Sequence, residues 1–219
     1  MSRKFIFGAI AALIITACGQ NSGSAHQEQS PASNAEPKAN ILVVVDVQRD
    51  FFDPAGHLYV AGSEELPDKI AAIAPQYDAI VFTLDWHPGS HCSFAAQGGP
   101  WPPHCVAYTQ GAGLPDSFAD ILAQGGDKVQ LFFKGDEQDK EQYGAFEELG
   151  EGIIRTWFEN CESIDVCGIA GDYCVKESTA NILKAVPAEK VSILTGCVRS
   201  IDDGSVLKAF IEETGISAK

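Results

Sequence analysis

Five consecutive aliphatic residues, Ile41-Leu42-Val43-Val44-Val45, run directly into Asp46. A strand with one wet face alternates apolar and polar residues, whereas a run that is apolar at every position fits a strand covered on both faces, as in a parallel sheet. Comparable runs recur at 79–84, 129–133, 164–169 and 191–194, and helical candidates fall between and after them at 64–74, 116–124, 144–160, 174–185 and 205–213. This alternation predicts a three-layer α/β/α sandwich around a mostly parallel sheet of about six strands. In such folds the polar residues just beyond the strand C-termini meet in one crevice, so those positions carry the search for chemistry. No internal repeat and no glycine-rich phosphate loop competes with this reading.

The first forty residues read differently. Arg3 and Lys4 precede an apolar stretch over 5–16, and small residues surround Cys18 in Ala17-Cys18-Gly19. Crossing a bilayer takes about 20 apolar residues, so this stretch is too short and has the anatomy of a secretory signal over 1–17. Ile15-Thr16-Ala17-Cys18 resembles the lipobox of bacterial lipoproteins, which implies lipidation of Cys18. Gly19 after that cysteine implies, by the same resemblance, an outer-membrane lipoprotein of the cell envelope facing the periplasm. Residues 18–40, rich in Ser, Asn, Gln, Ala and Pro, contain too little apolar surface to repay ordering and read as a tether. The folded domain is therefore expected over 41–219. With 15 Lys and Arg against 30 Asp and Glu, the chain carries a net charge of −15. That balance repels phosphate backbones and anionic lipid surfaces, which excludes nucleic acid as a partner and leaves membrane contact to the lipid anchor alone.

Three strand ends present reactive groups: Asp46 after the first run, Lys134 after the third and Cys174 a few residues past the fourth. Singly, an aspartate there caps a helix, a lysine is a solvated charge and a cysteine fills core. Together they supply a nucleophile, an acceptor for its proton and a cation to hold the resulting charges. Cys174 is expected to open a helix, whose N-terminus would favour the thiolate. A second constellation, Asp85-Trp86-His87 followed by Trp101-Pro102-Pro103-His104, sets a carboxylate and an imidazole on one side of an extended backbone, with a third donor returning from a loop. Asp85, His87 and His104 with open positions suit one divalent ion, zinc foremost, with iron or manganese as alternatives. The competing reading of this segment is a hydrogen-bonded loop with structural histidines.

The order Asp46-Val47-Gln48-Arg49-Asp50-Phe51, Asp85-Trp86-His87-Pro88, Trp101-Pro102-Pro103-His104-Cys105, Phe133-Lys134-Gly135 and Gly168-Ile169-Ala170-Gly171-Asp172-Tyr173-Cys174-Val175 resembles the nicotinamidases of the isochorismatase-like hydrolase family. The resemblance implies Asp46, Lys134 and Cys174 as the catalytic triad, and Asp85, His87 and His104 as metal ligands. His91 lies in a region that some members use as a further ligand and others do not. Phe51, Trp101, Ala170 and Tyr173 are implied as the substrate-binding surface, Ala170 lying next to a cis peptide bond. The implied activity is metal-dependent hydrolysis of a small amide, nicotinamide, to nicotinate and ammonia through a cysteine thioacyl intermediate, a step of NAD salvage. Departures from the family pattern are Gly171, where Thr or Ala is frequent, Tyr173, and an acidic segment over 136–142. Two alternatives stand beside this activity: a relative acting on another small amide, and a catalytically silent metal-binding surface lipoprotein. Of the remaining cysteines, Cys92 and Cys105 form the pair for which a disulfide across the metal loop is most plausible, with a reduced, buried state as its rival.

Overall fold

The computed structural model describes residues 39–219 of the 219-residue chain. The signal, Cys18, His26 and the tether up to residue 38 lie outside the described residues. Six strands form one sheet: β1 Ala39–Val45, β2 Ala79–Asp85, β3 Val129–Lys134, β4 Cys161–Ile169, β5 Val191–Arg199 and β6 Ser217–Ala218. Their order is β3-β2-β1-β4-β5-β6 and every pairing is parallel. The expected sandwich is therefore present, with a sheet wholly rather than mostly parallel.

Six helices connect the strands: α1 Arg49–Phe52, α2 Leu66–Ile73, α3 Ala119–Gln124, α4 Gly150–Phe158, α5 Lys176–Leu183 and α6 Ser205–Thr214. Aromatic contacts show that both faces of the sheet are covered. In a parallel pair, residues in register point to the same face, and Phe82 of β2 is in register with Leu131 of β3 while Thr83 is in register with Phe132. Phe82 packs on Phe118, just ahead of α3, with ring centroids 5.2 Å apart. Phe132, on the opposite face, meets Phe146, which in turn meets Phe158 of α4. Residues 41–45 of β1 are buried without a break, which is what their uninterrupted apolar run requires. None of the described helices is long and apolar enough to cross a membrane.

Differences from the sequence reading lie at element ends. β1 begins at Ala39, whose N–H donates to Asn160 O, and Asn40 is held by the Asp78 carboxylate. β5 continues through Thr195 and Gly196 to Arg199: its register with β4 slips after Ile193 and resumes at Val198 and Arg199, while Thr195 N donates to Lys219 O. The helix expected over 144–160 shrinks to α4, since Ala145 N and Phe146 N donate instead to Ser178 Oγ and Asn181 Oδ1. Cys174 does not open α5; it sits in a π turn, Gly171–Val175, that precedes it.

The strand order reverses between β1 and β4. The C-terminal ends of adjacent strands diverge there, and the gap is where doubly wound sheets place their ligands. Asp46 follows β1 directly, and Ala170 to Cys174 follow β4.

Candidate active site

Asp46 has φ of +49°, a left-handed conformation that few residues other than glycine adopt. It is fixed from both ends by Thr83 of β2: Asp46 N donates to Thr83 O at 3.1 Å, and Thr83 Oγ1 donates to Asp46 Oδ1 at 2.6 Å. The other carboxylate oxygen, Oδ2, lies 2.9 Å from Lys134 Nζ but receives no well-directed hydrogen bond. It is thus the oxygen left able to take a proton. Lys134 ends β3 in register with Asp85 at the end of β2, so pairing alone sets ammonium beside carboxylate. The side chain then reaches across to Asp46 and lies 3.5 Å from Cys174 Sγ and 3.4 Å from Gln142 O.

These groups are dry: Asp46 and Lys134 are 0% and 1% exposed and Cys174 is 7% exposed. Burial dominates the proton affinities. It raises the Asp46 carboxyl, a push that Lys134 opposes and Asp85 reinforces. Burial also pushes the Cys174 thiol well up, with the Lys134 ammonium pulling against it and the Asp46 and Asp85 carboxylates adding to it. The sulfur lies in a π turn and not at the first turn of α5, so the helix N-terminus expected to favour a thiolate is not where Cys174 sits. Lys134 behaves the opposite way, because burial pulls it down but its two carboxylate neighbours hold it well above the ordinary lysine value. It remains an ammonium ion. Cys174 itself follows a cis peptide bond between Ile169 and Ala170.

Beside this cluster, one ligand atom each from Asp85, His87 and His104 lies within 4.8 Å of the others, all three residues being buried. Hydrogen bonds settle how the two rings present themselves. His87 Nδ1 donates to Gly135 O and His104 Nδ1 donates to Pro102 O, both at 2.8 Å. A carbonyl only accepts, so Nδ1 of each ring carries a proton, and Nε2, the nitrogen left to bind a metal when the ring is neutral, faces Asp85 Oδ2 at 3.6 and 3.9 Å. Two imidazole nitrogens and a carboxylate oxygen, each oriented by an outer carbonyl or an ammonium, fit a divalent transition metal. Burial disfavours the Asp85 anion, but Lys134 and the imidazoles outweigh it and hold the carboxyl well below the usual range, as a metal ligand requires. Gly135 is needed for this packing: its φ is +65°, and a Cβ there would lie 2.4 Å from the His87 ring.

His91 is placed against the His87 ring, with centroids 4.2 Å apart, yet it has the reverse arrangement. Its Nδ1 meets Ser93 Oγ at 2.7 Å and its Nε2 meets Lys140 O at 2.9 Å, which leaves neither nitrogen free for a metal. A further group of potential ligands, Asp46, Asp85 and Cys174, already surrounds the Lys134 ammonium.

A narrow pocket opens over these groups. Phe51, Trp101, Ala170 and Tyr173 all line it. Residues to which the sequence reading gave no role complete it. Tyr143 accepts a hydrogen bond from Trp101 Nε1 at 3.1 Å and packs on Tyr173. Gln48 holds the Asp85 main chain, donating to Asp85 O and accepting from Asp85 N, both at 2.8 Å. Asp50 accepts from Cys105 N at 2.7 Å and so fixes the loop that carries His104. Gln48 and Asp50 stand inside a motif already singled out, and Thr83 is the one polar residue inside the apolar run of β2; those were the available signals. Cys92 and Cys105 are both reduced thiols, so the Cys92–Cys105 bridge is not formed.

The comparisons with known proteins bear on the same fold. A crystal structure of PnC1 from L. infantum in complex with nicotinate matches with a TM-score of 0.72 and 30% identity, covering 84% of this chain and 94% of that one. A pyrazinamidase of Pyrococcus horikoshii in complex with zinc matches with a TM-score of 0.66 and 32% identity, covering 82% and 98%. No protein-family model matches the chain. Fold and structural neighbours together define an α/β hydrolase of the isochorismatase-like class. The sequence narrows this further: a nicotinamidase of Saccharomyces cerevisiae is 31% identical over 206 residues, 78% of this chain and 94% of that protein. A nicotinamidase of Acinetobacter baylyi is 32% identical over 195 residues, 78% and 86%. The chain belongs to the nicotinamidase family and is an amidohydrolase of that kind.

Proposed function

We propose that this enzyme hydrolyses nicotinamide to nicotinate and ammonia with Cys174 as nucleophile, Asp46 as proton carrier and Lys134 as their electrostatic partner. The observation that carries the reading is the convergence of a thiol, a carboxylate with one uncommitted oxygen and an ammonium ion at the strand-order reversal, next to a three-donor metal group. Relatives named nicotinamidase or nicotinamidase/pyrazinamidase support the substrate class.

In the proposed sequence, Asp46 Oδ2 takes the Cys174 proton as sulfur attacks the carboxamide carbon. Burial raises the Asp46 carboxyl above its usual value, which makes it a better acceptor for that proton than a solvated carboxylate. Lys134, between the two, offsets the charge on whichever is ionised. Main-chain N–H groups of Ala170 and Cys174 receive the developing oxyanion. Asp46 returns the proton to the leaving ammonia, leaving a thioester on Cys174. Asp46 then takes a proton from water as its oxygen attacks the thioester; the adduct expels the Cys174 sulfur, Asp46 returns that proton to it, and the product acid leaves as nicotinate with its proton passing to solvent. Phe51, Trp101 and Tyr173 hold the ring. Asp85, His87 and His104 would hold the divalent ion, with zinc as the proposed identity and iron or manganese as alternatives; when bound it supplies a Lewis-acidic anchor for a pyridine nitrogen. Ammonia release from nicotinamide, pyrazinamide and propionamide, with and without chelator, tests the reading. Turnover of the ring amides that falls on chelation supports it; turnover of propionamide alone, insensitive to chelation, overturns it.

We also propose that the enzyme acts in the cell envelope, lipid-anchored through Cys18 at the outer membrane and facing the periplasm. The support is the lipobox-like Ile15-Thr16-Ala17-Cys18 and the polar stretch that follows. Incorporation of labelled palmitate in the wild type and not in Cys18→Ser is the expected result; equal labelling or none in either would refute the anchor.

A further inference from the structure

The turn that carries the nucleophile also grips a second loop. Both carboxylate oxygens of Asp172, two residues before Cys174, accept main-chain hydrogen bonds: Ile201 N to Oδ1 at 2.9 Å and Asp202 N to Oδ2 at 3.0 Å. Asp202 in turn accepts from Gly204 N and Val206 N, which ties the loop over 200–204 to the start of α6. The loop can come this close because residue 171 is glycine. A Cβ there would lie 2.3 Å from Ser200 Oγ and 3.0 Å from Val198 Cγ1.

The loop presents one apolar side chain to the pocket. Ile201 lines the cavity that contains Cys174, yet it is 46% exposed. Among the described residues it is the one exposed large hydrophobic side chain on that wall. The loop's main chain is pinned, while the apolar tip has water on one side. That is the arrangement of a wall completed by the substrate, since covering it removes apolar surface from water without reordering the backbone.

We propose that Ile201 is a specificity-determining residue that favours flat ring amides over short aliphatic ones, and that Asp172 is its positioning residue. The inference rests on the amidase reading above and deepens it. With the carboxamide carbon at Cys174 and the ring nitrogen turned to the Asp85, His87 and His104 group, the free edge of an aromatic ring is left to cover Ile201 on the same pocket wall. A two- or three-carbon amide stops short of it and leaves it wet. The contact is made equally in the bound substrate and in the transition state, so it acts on KM and not on kcat.

The test measures kcat and KM for nicotinamide and propionamide in the full chain, in Ile201→Ala, in Asp172→Asn and in the double variant. Ile201 is on the surface, so its truncation leaves the fold intact. Ile201→Ala is expected to raise KM for nicotinamide about tenfold with kcat held, and to leave propionamide unaffected. Asp172→Asn turns an amide donor toward the loop's N–H groups and is expected to raise KM similarly. The double variant then shows no further loss, because both changes remove one contact. An unmoved KM for nicotinamide in Ile201→Ala overturns the proposal, and so does an equal loss on both amides. If propionamide is not turned over, the KM for nicotinamide decides alone. A fall in kcat with unmoved KM in Asp172→Asn, or additive losses, overturns the positioning role. Failure of the unaltered chain to release ammonia from nicotinamide defeats the activity reading and this inference together; activity in the unaltered chain with an unmoved KM in Ile201→Ala defeats this inference alone.

Discussion

The two halves of the pocket are built by different means. On the floor, Lys134 and Asp85 end two neighbouring strands and Asp46 directly follows a third, and pairing fixes their spacing: Lys134 is in register with Asp85, and Thr83 of the same strand as Asp85 holds Asp46. On the walls, Trp101, His104, Tyr143 and Ile201 come from loops held by single polar side chains, among them Asp50, Asp172 and Tyr143 itself. The difference separates chemistry from selection. Groups that exchange protons and charge need fixed positions to a fraction of an ångström, and strand ends provide them. Groups that choose the substrate sit where the chain tolerates change.

The largest break in this comparison is expected at Lys134. Replacing it by Met leaves Asp46 and Asp85 buried without their shared cation, which costs about 3–5 kcal/mol of stability as well as activity. Urea unfolding followed alongside ammonia release measures both, and a stable, active Lys134→Met protein contradicts the role given to the floor. A smaller, purely catalytic effect is expected at Thr83. Thr83→Val frees Asp46 Oδ1 while keeping the β-branched shape, and loss of a hydrogen bond to a charged group should lower kcat about tenfold at unchanged KM. Thr83→Ser should restore it. If the serine variant does not recover, Thr83 acts through packing and not through Asp46.

The smallest effect belongs to the walls. Burial alone would raise the Asp50 carboxyl, but the hydrogen bonds from His57 and Cys105 N outweigh it and hold it below its usual value. A group whose folded pKa is depressed stabilises fully above its unfolded pKa and loses that contribution as pH falls through the folded value. Asp50→Asn should therefore be less stable than the wild type at neutral pH. The gap should close on acidification below about pH 4, where the wild-type carboxyl also protonates. A gap independent of pH would show that Asp50 acts through shape and not through charge.

How much of this was legible in the sequence follows the same division. The runs ending at Asp46, before Asp85 and before Lys134 announce themselves by aliphatic and aromatic character, interrupted only at Thr83 and Gln130, and the order of strands and helices follows from their alternation. Cys174 could be placed past the fourth strand, but not in a π turn, because main-chain hydrogen-bond spacing within one turn leaves no trace in composition. Nor could the rise of its thiol be read, since burial, its first cause, is a property of the whole fold. His87 and His104 separate from His91 only when the partner of each ring nitrogen is known. Ile201 and Tyr143 were invisible as pocket walls because loop residues without charge or periodicity carry no sign of where the chain returns.

The central claim is that amide hydrolysis runs through the Cys174 sulfur on this strand-end floor. It is tested most directly by measuring ammonia release from nicotinamide by the wild type and by Cys174→Ala, with bound metal quantified in both. The account predicts release by the wild type, a loss of about 10³-fold or more in the variant, and equal metal content. A Cys174→Ala protein that still releases ammonia at a comparable rate would contradict it.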